Sequence, residues 1–263
     1  MMTQALHNRR VVNTRAPHQA AAFDDLLRAH GAVPLDYPCI DIFPVDDDGR
    51  FDRTVRDLVA GRYHWLALTS PNTVFALARR LSALKLTLTA PSFRSAAIGP
   101  ATRDAARDQL GLASMVVPEE FIAESLGANL PVQAGERVLL PESDLARPVL
   151  AALLRERGVD VTVVAAYRTV CGSGGVDVPR LLAEGRVDVM TFTSPSTVTN
   201  FIERRRREGG AMERALGVCA ACIGPITAEV ARKHGFTNVL VPPEYTLKGL
   251  TETMEAFFGD SVA

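Results

Sequence analysis

Short apolar runs alternate along this chain with stretches in which apolar residues recur every three or four positions. Leu66 to Leu68 is such a run; it stops at Thr69-Ser70-Pro71, after which Val74, Leu77, Ala78 and Leu81 follow at helical spacing. A second copy runs from Val189 to Phe192, stops at Thr193-Ser194-Pro195 and then also changes to helical spacing. Each copy predicts a buried strand followed by a helix. Pro71 and Pro195 suit the first helical position, and Ser70 and Ser194 sit where an N-cap hydroxyl belongs. Each strand should therefore end at a cluster of backbone N–H groups backed by a helix dipole, a setting that attracts carboxylate or phosphate.

Other blocks repeat in the same order. Arg10 to Arg15 predicts a strand and turn, Ala20 to His30 a helix closed by Gly31, and Val33 to Phe43 an extended run; Arg137 to Glu142, Arg147 to Arg157 with Gly158, and Val159 to Val170 repeat this. Gly31 and Gly158 stand 127 positions apart, Ser70 and Ser194 124, and Ile98-Gly99-Pro100-Ala101-Thr102 and Ile223-Gly224-Pro225-Ile226-Thr227 125. Val117-Pro118-Glu119-Glu120-Phe121 and Val241-Pro242-Pro243-Glu244-Tyr245 are again 124 apart. A nearly constant offset across ordered blocks marks an internal duplication. With Trp65 to Leu68, Ala96 to Ile98 and Ser114 to Val117 as further strands, each half reads as an α/β unit with a parallel sheet and helices on both faces. Ligands of such sheets meet the carboxyl ends of the strands, where all of these turns fall, and Gly99 and Gly224 would let the backbone approach a ligand closely.

Composition narrows the picture. At 263 residues and 47% hydrophobic content the chain can fill one large or two ordinary cores. No apolar run approaches the ~20 residues that span a bilayer, and Met1 to Arg10 lacks a signal-peptide core, so a soluble cytoplasmic protein is expected, with no membrane partner and with reduced thiols. A net charge of −1 argues against a nucleic-acid partner, and Arg204 to Arg207 reads as a solvated helix end. Cys219-Ala220-Ala221-Cys222 has redox spacing but lies inside an apolar run, which predicts two buried strand residues. The five histidines lack ligand spacing, Asp46-Asp47-Asp48-Gly49 lacks the ligand alternation of a calcium loop and reads as a loop tip, and Gly172-Ser173-Gly174-Gly175 reads as a flexible linker. No metal site is expected.

Taken together, T-S-P-N-T-V from Thr69, I-G-P-A-T from Ile98, Y-R-T from Tyr167, F-T-S-P-S-T-V from Phe192, I-G-P-I-T-A from Ile223 and P-E-Y-T-L-K-G-L from Pro243 resemble the uroporphyrinogen-III synthase family, over about Val11 to Phe258. The resemblance implies two flavodoxin-like or Rossmann-like parallel-sheet domains. Met1 to Pro38 with Cys171 to Ala263 would form one and residues 39–170 the other, joined by two antiparallel extended linkers, Leu35 to Phe43 and Val163 to Val170, beside a cleft of variable width. It also implies a monomeric enzyme that closes a linear tetrapyrrole with eight carboxylates, hydroxymethylbilane, into uroporphyrinogen III with inversion of ring D, using no metal or cofactor. An azafulvene formed by loss of the terminal hydroxyl and a spiro intermediate would lie on the path. By the same resemblance, donors at Thr69, Ser70, Gly99, Thr102, Ser194, Ser196, Gly224, Thr227 and Thr246 would receive the carboxylates, and Tyr167 would face the cleft and donate a hydrogen bond to the departing hydroxyl. Ile226 departs from the family, which often carries a second Thr there. The alternative from another class is a sensor domain of the same fold that binds a tetrapyrrole or small anion without turnover.

Overall fold

A computed structural model describes residues 5–46, 49–89 and 92–259. Met1 to Gln4, and Asp47 and Asp48 of the expected acidic loop tip, lie outside the described residues. In chain order the elements are β1 (Arg10–Asn13), α1 (Pro17–Ala29), β2 (Val33–Asp36), β3 (Ile40–Pro44), α2 (Arg50–Val59), β4 (Trp65–Leu68), α3 (Pro71–Ala83), β5 (Arg94–Ala97), α4 (Pro100–Leu110) and α5 (Ala123–Asn129). They continue with β6 (Arg137–Ser143), α6 (Val149–Glu156), β7 (Asp160–Cys171), α7 (Val178–Ala183), β8 (Val189–Phe192), α8 (Pro195–Glu208), α9 (Met212–Leu216), β9 (Cys219–Cys222), α10 (Pro225–Lys233), β10 (Val239–Leu240) and α11 (Leu247–Gly259).

The chain divides into two compact units, Met1–Asp41 with Val170–Ala263, and Ile42–Thr169. The sheet of the first has the order β10-β9-β8-β1-β2, with every neighbouring pair parallel. In the second the order is β3-β7-β6-β4-β5, of which β7, β6, β4 and β5 pair in parallel. The duplication is visible in these orders: β9-β8-β1-β2 in one sheet corresponds to β5-β4-β6-β7 in the other.

Alternation along each strand feeds two cores, one per sheet face. In the first unit Val12, Met190, Phe192 and Cys222 enter one cluster, and Val11, Val189 and Cys219 enter the other with Phe23, Leu27 and Met254. Cys219 and Cys222 therefore point to opposite faces of β9 and cannot pair, and burial pushes both thiols up to about 12. In the second unit Leu66, Leu68 and Leu139 pack with Val74 and Leu77 of α3, while Trp65, Ala67, Val138 and Leu140 pack with Leu126 of α5 and Leu150 and Leu154 of α6.

The structure corrects three local expectations. Ser114 to Val117 is not a strand; Val116 alone forms an isolated parallel bridge with Ala96. This segment lies at the sheet margin, where only one neighbour is available, and Pro118 follows; its counterpart β10 is only two residues long. The extended run from Val33 to Phe43 breaks at Tyr37 to Cys39 because β2 pairs with β1 in one sheet and β3 with β7 in the other. Gly172 to Gly175 is tied down: the Gly172 and Val176 amides donate to Cys39 and Asp36 carbonyls at 3.0 and 2.8 Å. A Cβ on Gly175 would lie 2.1 Å from the Asp36 oxygen, so the glycines serve close backbone approach.

Candidate active site

The Thr-Ser-Pro and Ile-Gly-Pro turns fall at the carboxyl ends of β4, β8, β5 and β9, but they are not equivalent. At the end of β4, Ser70 Oγ accepts the Thr73 amide at 3.1 Å and caps α3. At the end of β8, Ser194 Oγ accepts the Thr197 amide at 3.3 Å while Thr197 Oγ1 accepts the Ser194 amide at 3.3 Å, a reciprocal capping box, and Ser196 Oγ lies 2.8 Å from Ser194 Oγ. Thr69 is half-buried beside its cap. The Thr-Ser-Pro turns thus spend much of their donor capacity on their own helices.

The Ile-Gly-Pro turns do not. Gly99 and Gly224 stand at the caps of α4 and α10 with no side-chain cap. Among the described residues, the amides of Gly99, Ala101, Thr102, Gly224, Ile226 and Thr227 reach no acceptor. Thr102 and Thr227 are 2% and 4% exposed, yet among the described residues no partner meets either hydroxyl, and neither oxygen is sealed from solvent. Each unit therefore presents one turn with free amides and a free hydroxyl together.

A Cβ on Gly99 would meet Phe121 Cγ at 3.2 Å, and one on Gly224 would meet Tyr245 Cγ at 3.5 Å. The Phe121 ring thus crowds the Cα of Gly99, whereas the Tyr245 ring stands at ordinary contact from that of Gly224. Both glycines are extended, at φ −170° and −168°, without backbone strain. Thr246 accepts the Gly249 amide at 3.0 Å and caps α11.

Tyr167 ends the part of β7 that pairs with β6, opposite Ser143. Its ring packs in the second unit's core with Leu68 and Val74, leaving the residue 6% exposed, and its hydroxyl lies 3.1 Å from Ser70 Oγ. Burial raises its pKa, against the opposing effect of hydrogen bonds to Ser70, Thr73, Ser143 and Asn72, so it is a hydrogen-bond donor rather than a source of protons at neutral pH.

Two charged residues at the same edges were missed in the sequence. Glu142, at the end of β6, is 6% exposed, and burial alone pushes its carboxyl up to about 7. Arg15, 127 positions earlier in the repeat, follows β1; its Nε donates to the Gln19 carbonyl at 3.1 Å, no carboxylate pairs with it among the described residues, and burial brings its pKa down to about 10. Both belong to the repeated block, so their place at the strand ends was available; their lack of partners was not. No group of three or more metal-ligating side chains occurs among the described residues.

Residues 21–252 match the family model described as Uroporphyrinogen-III synthase HemD, which covers most of the chain. The chain belongs to the uroporphyrinogen-III synthase family. It is 31% identical over 260 residues to the uroporphyrinogen-III synthase of Synechococcus elongatus, covering 97% of each chain. It is 30% identical over 246 residues to that of Chlorobaculum parvum, covering 89% of this chain and 93% of the relative. Among solved structures, a mutant uroporphyrinogen III synthase from Thermus thermophilus superposes with a TM-score of 0.67 at 24% identity, covering 96% of this chain and 99% of that one. A Helicobacter pylori uroporphyrinogen-III synthetase gives 0.56 at 15%, covering 95% and 99%. These two likenesses bear on the fold. Within the uroporphyrinogen-III synthase fold, the free-amide turns at Gly99 and Gly224 are equivalent places in the two repeats.

Proposed function

We propose that this chain converts hydroxymethylbilane into uroporphyrinogen III. Membership of the family over residues 21–252 is the observation that carries the reading. The site chemistry supports it: a reaction that loses water from a flexible polycarboxylate asks above all that the substrate be held with its ends placed, and orientation of that kind supplies several kcal/mol.

The donors suit carboxylates. In each unit the uncapped helix start at Gly99 or Gly224 offers amides, and Thr102 or Thr227 adds a hydroxyl. A carboxylate at a helix start gains roughly 0.3–1 kcal/mol, so several contacts act together. Thr69, Ser70, Ser194, Ser196 and Thr246 line the neighbouring turns; the Ser194–Ser196 pair, joined by one hydrogen bond, keeps one proton to donate outward, and Ser70 gives its own to Tyr167. Arg15 adds a cation that no carboxylate pairs with among the described residues. In this reading Tyr167, its hydroxyl already fixed by Ser70 at 3.1 Å, donates a hydrogen bond toward the departing hydroxyl.

The test is to supply freshly made hydroxymethylbilane to the purified chain, oxidise the products and separate the isomers chromatographically. The expected product is the type III isomer, formed faster than spontaneous closure. Type I product alone, at the uncatalysed rate, overturns the reading.

A further inference from the structure

The two Thr-Ser-Pro helix starts spend their threonines differently. In the second copy Thr197 Oγ1 turns to the backbone of its own cap, donating to the Ser194 carbonyl at 2.7 Å and accepting the Ser194 amide at 3.3 Å. In the first copy Thr73, at the matching place in α3, turns instead to the side chain of the cap. Its Oγ1 lies 3.0 Å from Ser70 Oγ, and Ser70 Oγ lies 3.1 Å from the Tyr167 hydroxyl. Three hydroxyls thus form a chain within one unit, from the buried start of α3 to the tyrosine.

The number of lone pairs fixes the direction of the protons along this chain. Ser70 Oγ has two lone pairs and one hydrogen. One lone pair takes the Thr73 amide at 3.1 Å, so of the two neighbouring hydroxyls one donates to Ser70 and the other receives from it. Were Tyr167 the donor, Ser70 would pass its hydrogen to Thr73. The hydrogen of Thr73, a residue 0% exposed, would then have no acceptor within hydrogen-bond distance among the described residues. A stranded buried donor disfavours that arrangement by roughly tenfold or more. The opposite order, Thr73 to Ser70 to Tyr167, strands nothing and leaves the phenol its own hydrogen. Ser143, opposite Tyr167, cannot take it: its Oγ accepts the Leu145 amide at 3.2 Å and gives its hydrogen to Asp144 Oδ1 at 3.1 Å, so Thr169 Oγ1, 3.1 Å away, donates into the second lone pair. Thr73 and Asn72 lower the pKa of the phenol, the effect of donors and not of acceptors.

We infer that Thr73 is a positioning residue for the reaction: by donating to Ser70 it makes Ser70 donate to Tyr167, and so keeps the hydrogen of the phenol turned away from the core, toward the departing hydroxyl. This role rests on the proposed activity. No bond to Thr73 or Ser70 is made or broken; the two side chains hold a direction. Without the threonine hydroxyl Ser70 regains a vacant lone pair, and the phenol can turn inward to it.

The experiment measures kcat and KM for type III formation by wild type, Thr73→Val, Thr73→Ala and Thr73→Ser, and by Tyr167→Phe with and without Thr73→Val. Spontaneous closure is subtracted and folding is checked by thermal melting. Tyr167→Phe removes the donor and should lose about 10²-fold or more in kcat. Thr73→Val keeps the donor without its direction and should lose about three- to tenfold in kcat, the scale of one hydrogen bond, with KM within about twofold. Thr73→Ala should match it, and Thr73→Ser, which keeps the hydroxyl, should stay within about twofold of wild type. Beside Tyr167→Phe, Thr73→Val should change kcat by less than about twofold, because no phenol is left to direct, whereas damage to the helix start would carry over in full. Near wild-type kcat in Thr73→Val overturns the role, as do equal losses in Thr73→Val and Thr73→Ser, a loss confined to KM, or the same loss in both backgrounds. If Thr73→Val does not fold, Thr73→Ala decides by the same readouts; if Tyr167→Phe makes no measurable type III product, the contrast between Thr73→Val and Thr73→Ser decides. Wild-type kcat in Tyr167→Phe overturns the part of the tyrosine and this role with it, and absence of type III product from wild type overturns the proposed activity itself.

Discussion

A carboxyl raised from 4.5 to about 7 by burial has a thermodynamic consequence independent of turnover. The folded chain binds the Glu142 proton more tightly than the unfolded chain, so the stability it contributes is complete below about pH 4.5 and is lost as pH rises to about 7. The loss is at most on the order of 3 kcal/mol. Glu142→Gln should therefore melt above wild type at pH 8 and close to it at pH 5, a difference that thermal unfolding at the two pH values reads directly. The repeat glycines give a second contrast. A methyl at Gly99 meets Phe121 at 3.2 Å, tighter than side chains normally accept, whereas at Gly224 the nearest atom of Tyr245 is at an ordinary 3.5 Å. Gly99→Ala should cost about 1 kcal/mol or more and Gly224→Ala under about 0.5 kcal/mol in urea unfolding.

At the scale of the helix, the caps of α3 and α8 are the same device with different connections. Ser194 closes a capping box within its own helix, and its loss should cost about 1 kcal/mol. Ser70 caps α3 and also holds the Tyr167 hydroxyl, so Ser70→Ala leaves a buried phenol with weaker satisfaction and should cost about 2 kcal/mol, measured by denaturant midpoint. The strand–turn–helix steps were legible in the sequence because their signals are local: a four-residue apolar run, a capping serine and a proline at the first helical position. Elements governed by distant partners were not. The extended run through Tyr37 to Cys39 continues in composition but changes sheets, and Ser114 to Val117 has strand composition but a margin with one neighbour. The rings over Gly99 and Gly224 arrive from residues 22 and 21 positions later, so the repeat showed that the glycines matter and not what covers them. Glu142 was legible as a strand end, whereas an acid without a counter-ion is a property of the assembled rim.

At the scale of the molecule, packing shields three thiols and leaves the fourth partly open. Cys39, Cys219 and Cys222 are buried, Cys171 is only half-buried, and burial raises all four thiol pKa values. Native protein should react with a thiol reagent at Cys171 alone and slowly near neutral pH, and all 4 cysteines should react in denaturant; fast labelling of Cys219 or Cys222 would contradict the packing of β9. The first unit is also discontinuous, with β1 lying between β2 and β8 in its sheet, and β8 begins at Val189. A ribosome adding about 5–20 residues per second makes the whole of the second unit before it makes β8. For on the order of ten seconds β1 and β2 thus emerge as a two-stranded fragment with an open flank, long after they are synthesised and before their partner exists. The enclosed unit can mature first, and a nascent chain stalled before Val189 would leave the amino-terminal strands as the exposed, chaperone-dependent part of the molecule.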